Sequence, residues 1–145
     1  MKYFDLLKEW QRLRFKVKDN IDQECEIREL CSTPKKIISN GMGGGVNVPP
    51  QQRYVEQIED LLAKRTILMK NMKLARELLV DGLVKEINDY STKVVMQMVM
   101  FRDRPAPNWQ EIADKICYSV RGAQRLYEIG ETIMEAVNIQ YTPID

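Results

Sequence analysis

Apolar residues recur at steps of three and four near the start of the chain, at Tyr3, Leu6, Leu7, Trp10, Leu13, Val17, Ile21, Ile27 and Leu30. No Pro or Gly interrupts residues 3–31, so the spacing predicts one amphipathic helix there. The pattern then fails. Between Ser32 and Gln52 stand Pro34, Gly41, Gly43, Gly44, Gly45, Pro49 and Pro50, too many breakers for a regular element, and 32–52 reads as a long flexible loop. From Arg53 to about Tyr90 the periodicity returns, with Val55, Ile58, Leu61, Leu62, Leu68, Met72, Ala75, Leu79 and Leu83 on one broad face. Gly82 marks a point of interruption. Ile58, Leu61, Leu68, Met72, Ala75 and Leu79 alternate steps of three and four when Arg65 fills the gap, the pattern of a helical hairpin or coiled coil. Two such helices are expected to fold back on one another, with a remaining apolar edge open to a homodimer through the N-terminal helices.

The final third breaks into three shorter helices, expected at 91–101, 109–116 and 120–137. Pro105 and Pro107 deny helical continuation, and Asn108 caps the middle helix, with Glu111 placed for a capping box. Cys117, Tyr118 and Ser119 form a three-residue turn, and Ser119 is a good cap for the last helix. The expected fold is therefore all-α: a long helical hairpin or coiled coil over 1–90, then a small helix-turn-helix domain over 91–140.

A helix-turn-helix needs a small residue where its helices cross, a tight turn, and spaced apolar residues that lock the second helix. Ala113 is the small residue, and Ile112, Ile116, Tyr118, Ala123 and Leu126 fall at the required spacing from Trp109. In the last helix Ala123, Leu126, Ile129, Gly130, Ile133 and Val137 are read as the inward face. Val120, Arg121, Gly122, Gln124, Arg125 and Glu128 then point outward. Two departures stand out. Cys117 occupies the turn position where glycine is usual, and Gly122 costs the helix about 1 kcal/mol against alanine, a cost read as making room for a close approach to DNA.

These residues resemble a known group. Trp109-Gln110-Glu111-Ile112-Ala113-Asp114-Lys115-Ile116, followed by Tyr118-Ser119-Val120-Arg121-Gly122-Ala123-Gln124-Arg125-Leu126, is similar to the region-four helix-turn-helix of sigma factors. The form resembled is that of phage-encoded late-gene regulators of the RinA and ArpU kind. The resemblance implies sequence-specific binding to double-stranded DNA near promoters, activation of phage transcription, and contact with host RNA polymerase. Ser119 would then cap the recognition helix and aim its first amides at a phosphate while the helix lies in the major groove. Arg121, Gln124 and Arg125 would face bases or phosphates, since Arg matches the guanine edge and Gln the adenine edge in paired hydrogen bonds. Arg102 and Arg104 are candidate phosphate contacts in the preceding loop.

Charge tempers this picture. Lys and Arg number 22 against 21 Asp and Glu, a net charge of +1, so no global basic field points to nucleic acid. Within 93–137 the six basic residues Lys93, Arg102, Arg104, Lys115, Arg121 and Arg125 are balanced by six acidic ones. Trp109 and Tyr118 are read as packing the small domain, as are Met96, Met98 and Met100. Lys35 and Lys36, within the long loop, meet DNA or nothing at all, and the sequence does not separate the two. The Gly43-Gly44-Gly45 run lacks the Lys-Ser/Thr of a phosphate loop.

Chemistry is sparse. The chain has three cysteines without metal spacing and no histidine, so neither a metal set nor the commonest general base is present. No cofactor and no enzymatic activity are expected. The N-terminus shows no apolar signal region and no apolar run spans a bilayer, which reads as a protein of the cytoplasm, the host's if phage-encoded, with no membrane partner. Two other functions share the same layout: a DNA-recognition subunit of the small-terminase kind, and a helical protein-interaction module that no longer binds DNA.

Overall fold

The computed structural model describes residues 1–32 and 50–145. Among them lie five helices, α1 (Tyr3–Ser32), α2 (Pro50–Glu86), α3 (Tyr90–Met100), α4 (Trp109–Ile116) and α5 (Val120–Glu135), and no strand beyond an isolated bridge between Lys2 and Asn138. The class is all-α. Ser32 closes α1 and residues 50–52 already belong to α2; the rest of the expected loop, with Lys35, Lys36 and Gly43-Gly44-Gly45, lies outside the described residues. Pro50 opens α2, where its missing N–H costs nothing. Contrary to the expected interruption, α2 continues through Gly82, then stops at Glu86 rather than Tyr90.

The contacts do not divide the chain at 90/91. One compact unit consists of Met1–Gln11 with Met72–Pro143, the other of Arg12–Asn71 with Ile144–Asp145. Each contains a stretch of both long helices, because the first turns of α1 and the last turns of α2 share a core with the C-terminal helices.

In the first unit Tyr3, Leu6 and Trp10 of α1 pack with Ala75, Leu79 and Leu83 of α2, Met96 and Met100 of α3, and Met134 of α5. Trp10 meets Phe101 edge to face at 5.0 Å between ring centroids, and the Arg76 guanidinium lies 4.9 Å from the centroid of the same Phe101 ring. The chain's beginning is also tied to the segment after α5. The Tyr3 amide donates to the Val137 carbonyl at 3.0 Å, and the Ile139 amide donates to the Met1 carbonyl at 2.8 Å. Residues so close to the start of a chain usually fray; here two backbone bonds hold them.

The Asp89 carboxylate caps α3, accepting from the Thr92 hydroxyl at 2.7 Å and the Thr92 amide at 3.0 Å. These two bonds, the hydroxyl's first, hold its pKa below the ordinary aspartate value. A depressed carboxylate contributes stability that is present above its unfolded pKa and lost as pH falls through its folded one. Asp89→Asn is therefore expected to flatten the acid side of the stability curve, read by comparing urea midpoints at neutral and acid pH.

In the second unit Leu13, Val17 and Leu61 are buried beside the polar Asn20. A buried amide must be satisfied. Asn20 Nδ2 donates to the Leu61 carbonyl at 2.9 Å, and its Oδ1 accepts from Arg65 Nε at 2.9 Å. Arg65 also pairs with Glu24 at 3.2 Å, so the residue that broke the apolar repeat of α2 is the one joined to polar groups of α1. Asn71 binds the Ile144 backbone both ways, donating at 2.8 Å and accepting at 2.6 Å. Ile21 and Leu30, expected on the inward stripe of α1, are exposed. So are Val55 and Leu62 on α2.

Candidate nucleic-acid interface

Helices α3, α4 and α5 contact one another pairwise within the first unit. Val95 and Val99 of α3, Ile112 and Ala113 of α4 and Ala123 of α5 are all buried in one cluster, against which Met98, Trp109, Ile116, Val120, Leu126 and Tyr127 pack. Ala113 is fully buried where a small residue was required. Trp109 meets Tyr127 at 5.9 Å between ring centroids, so it packs as expected.

The turn is built by its caps. Asn108 Oδ1 accepts from the Glu111 amide at 3.2 Å and starts α4. At the other end Cys117 takes φ 57° and ψ 40°, the left-handed geometry that glycine adopts without cost. Its amide donates to the Asp114 carbonyl at 3.4 Å while the Tyr118 amide donates to the Ala113 carbonyl at 3.0 Å, the paired bonds of a Schellman ending. A non-glycine residue in this conformation costs about 1–2 kcal/mol. Cys117→Gly relieves that strain but frees the unfolded chain, so a net stabilisation of about 0.5–1 kcal/mol is expected, read as a raised urea midpoint. Ser119 then caps α5, its Oγ accepting from the Gly122 amide at 3.0 Å.

Gly122 has a local reason. A Cβ there would lie 3.1 Å from the Ser119 Oγ and 3.4 Å from the Tyr118 ring, so glycine leaves the cap its space without any approach to DNA being invoked.

Arg121, Gln124 and Arg125 are exposed on one face of α5, and none hydrogen-bonds or ion-pairs with another described residue. Three other expectations are corrected, for Val120, Tyr118 and the inward face of α5, and Arg102 is more engaged than its sequence suggests. Val120 is half-buried against the α3–α4–α5 core rather than on the outer face. Tyr118 is 46% exposed rather than packed inside. Arg102 is occupied: its Nη1 donates to the Val99 carbonyl at 2.7 Å, and its Nε and Nη2 donate to the Pro105 carbonyl at 3.3 and 3.2 Å. It ends α3 and staples the proline loop with three of its five N–H donors. Arg104 stays exposed, on the rim of an open hollow of about 300 Å³ with Asp103 and Glu111. On the inward face of α5, Ala123, Leu126 and Gly130 are buried or half-buried as expected and are joined by Tyr127 and Met134, while Ile129 and Ile133 are 48% and 38% exposed.

Electrostatics along α5 are polarised although the domain is neutral. Residues 120–127 carry Arg121 and Arg125 with no acid; residues 128–135 carry Glu128, Glu131 and Glu135 with no base. Glu131 is engaged with Tyr127, whose pKa is pushed up by burial first and by the Glu131 charge and hydrogen bond next. The basic half is the N-terminal half, beside the positive end of the helix dipole.

Among the described residues no group of three or more His, Cys, Asp or Glu side chains is placed to hold a metal ion, and no helix is long and apolar enough to cross a membrane. Cys25, Cys31 and Cys117 are free and exposed. Comparison of the chain with protein-family models, curated proteins and solved structures returns no match.

Proposed function

We propose that the protein is a sequence-specific regulator of transcription that binds double-stranded DNA through α5. One observation carries the reading: the turn between α4 and α5 leaves Arg121, Gln124 and Arg125 exposed at the start of the second helix. That is the part of a recognition helix that reaches base edges when the helix lies in the major groove. The arginines offer paired donors to guanine and Gln124 offers a donor and an acceptor to adenine. Ser119 Oγ takes the Gly122 amide, and the positive end of the α5 dipole beside it favours a phosphate oxygen.

The even balance of charge argues for modest affinity, since phosphate neutralisation supplies much of protein–DNA binding. A second protein on the promoter offsets that weakness, and RNA polymerase is the partner that the sigma-like resemblance implies. Ile129 and Ile133, exposed beside the arginine face, give such a partner apolar surface on the same helix. The test is selection from randomised duplexes with the purified protein at low salt. Enrichment of a defined sequence supports the reading; a pool that stays random after repeated rounds contradicts it and favours a protein-interaction module.

A further inference from the structure

Three half-exposed apolar residues of α2 sit seven apart: Val55 is 53% exposed, Leu62 41% and Met69 48%. A seven-residue apolar step keeps one seam facing a partner helix along a left-handed pair. Nothing among the described residues covers this seam, whereas Ile58 and Arg65 at its border are half-buried, Arg65 on Asn20 of α1.

Beside it runs a second row at the same step, Glu56, Ala63 and Lys70, all exposed. Neither Glu56 nor Lys70 makes an ion pair or hydrogen bond with another described residue. The row is acid, small, base, and its sign reverses about its centre. Such a row is complementary to itself only when turned end for end. If α2 pairs with a second α2 in antiparallel fashion about the Leu62-Ala63 step, Leu62 meets Leu62, Val55 meets Met69, and Glu56 meets Lys70 twice. Ala63 at the midpoint lets the backbones approach. In a parallel pair the two rows lie on opposite flanks of the seam, so Glu56 and Lys70 gain no partner from each other.

From this self-complementary seam we infer that α2 is the interface of an antiparallel homodimer, formed through Val55, Leu62 and Met69 and oriented by the two Glu56–Lys70 pairs. The inference does not depend on DNA binding. The seam is short, so the dimer is weak and forms at tens of micromolar chain rather than at nanomolar.

Sedimentation equilibrium of the whole protein tests it, with circular dichroism on every variant to confirm that the helices remain. The wild-type chain is expected to be a dimer at tens of micromolar. Leu62→Glu is expected to be monomeric with unchanged helicity, since Leu62 is already partly in water. Glu56→Lys alone and Lys70→Glu alone are each expected to weaken the dimer about tenfold, because two attractive pairs become two repulsive ones. The double exchange, Glu56→Lys with Lys70→Glu, restores it. A monomeric wild-type chain, a higher ring, or a double exchange no better than the singles overturns the proposal.

Discussion

Replacing Tyr3 with alanine is expected to lower the stability of the first unit by about 4 kcal/mol, the loss seen when large aromatic residues are deleted from a packed core. The ring is fully buried and lies so close to α2 that a Cβ on Gly82 would come within 2.9 Å of its Cε2. Glycine at that position lets the ring seat. Its hydroxyl donates to the Leu79 carbonyl at 2.6 Å, and burial pushes the phenol above its ordinary pKa, so it remains a neutral donor across the physiological range. Tyr3→Phe keeps the ring and loses that bond, costing about 1 kcal/mol. Urea unfolding followed by circular dichroism measures both. An alanine variant that loses less than about 1 kcal/mol would mean that the first turn of α1 is not part of this core.

The second large effect is on binding. Arg121→Ala with Arg125→Ala is expected to weaken binding to a selected duplex about a hundredfold, given about 1–3 kcal/mol for each paired arginine contact. Each is exposed and without an intramolecular partner among the described residues, so the fold and its unfolding midpoint are expected to stay within experimental error. The two outcomes together separate contact from scaffold. If the arginines touch phosphates instead of bases, the salt dependence of log K falls by about two while preference among sequences survives. If they read bases, preference collapses. A double variant that binds like the wild type would move the interface off this face of α5.

Much of this arrangement was legible in the residues. Breakers and caps are local, so Pro105, Pro107, Asn108 and Ser119 placed the ends of α3, α4 and α5 to within a residue or two. The left-handed turn at Cys117 was visible as a misfit at a glycine position, and the structure resolves it by bearing the strain. Side-chain direction was harder to read. Beside an inward set of Ala123, Leu126 and Gly130 that the spacing already places, α5 offers two further apolar pairs, Ile129 with Ile133 and Tyr127 with Met134. Helical spacing allows either to complete the inward face. The choice is made by Met96 of α3, which lies so close to Gly130 that a Cβ there would come within 2.7 Å of its sulfur, a contact between residues far apart in sequence.

The same limit explains Arg102 and Tyr3. A loop arginine next to a candidate interface reads as a free side chain from sequence, and only the fold shows that it also holds the carbonyls of Val99 and Pro105. The tie between Met1 and Ile139 has no periodic signal at all, which is why a boundary near residue 90 looked natural from sequence while the contacts group the start of the chain with the C-terminal helices.

The central claim is that the start of α5 is the DNA-reading surface, and amide chemical-shift mapping tests it most directly. Titrating the labelled protein with a selected duplex is expected to shift the amides of residues 119–125 first and furthest, with Ile129, Ile133 and the α2 seam left in place. Shifts centred on α2 or on the C-terminal half of α5, with residues 119–125 unmoved, would contradict it.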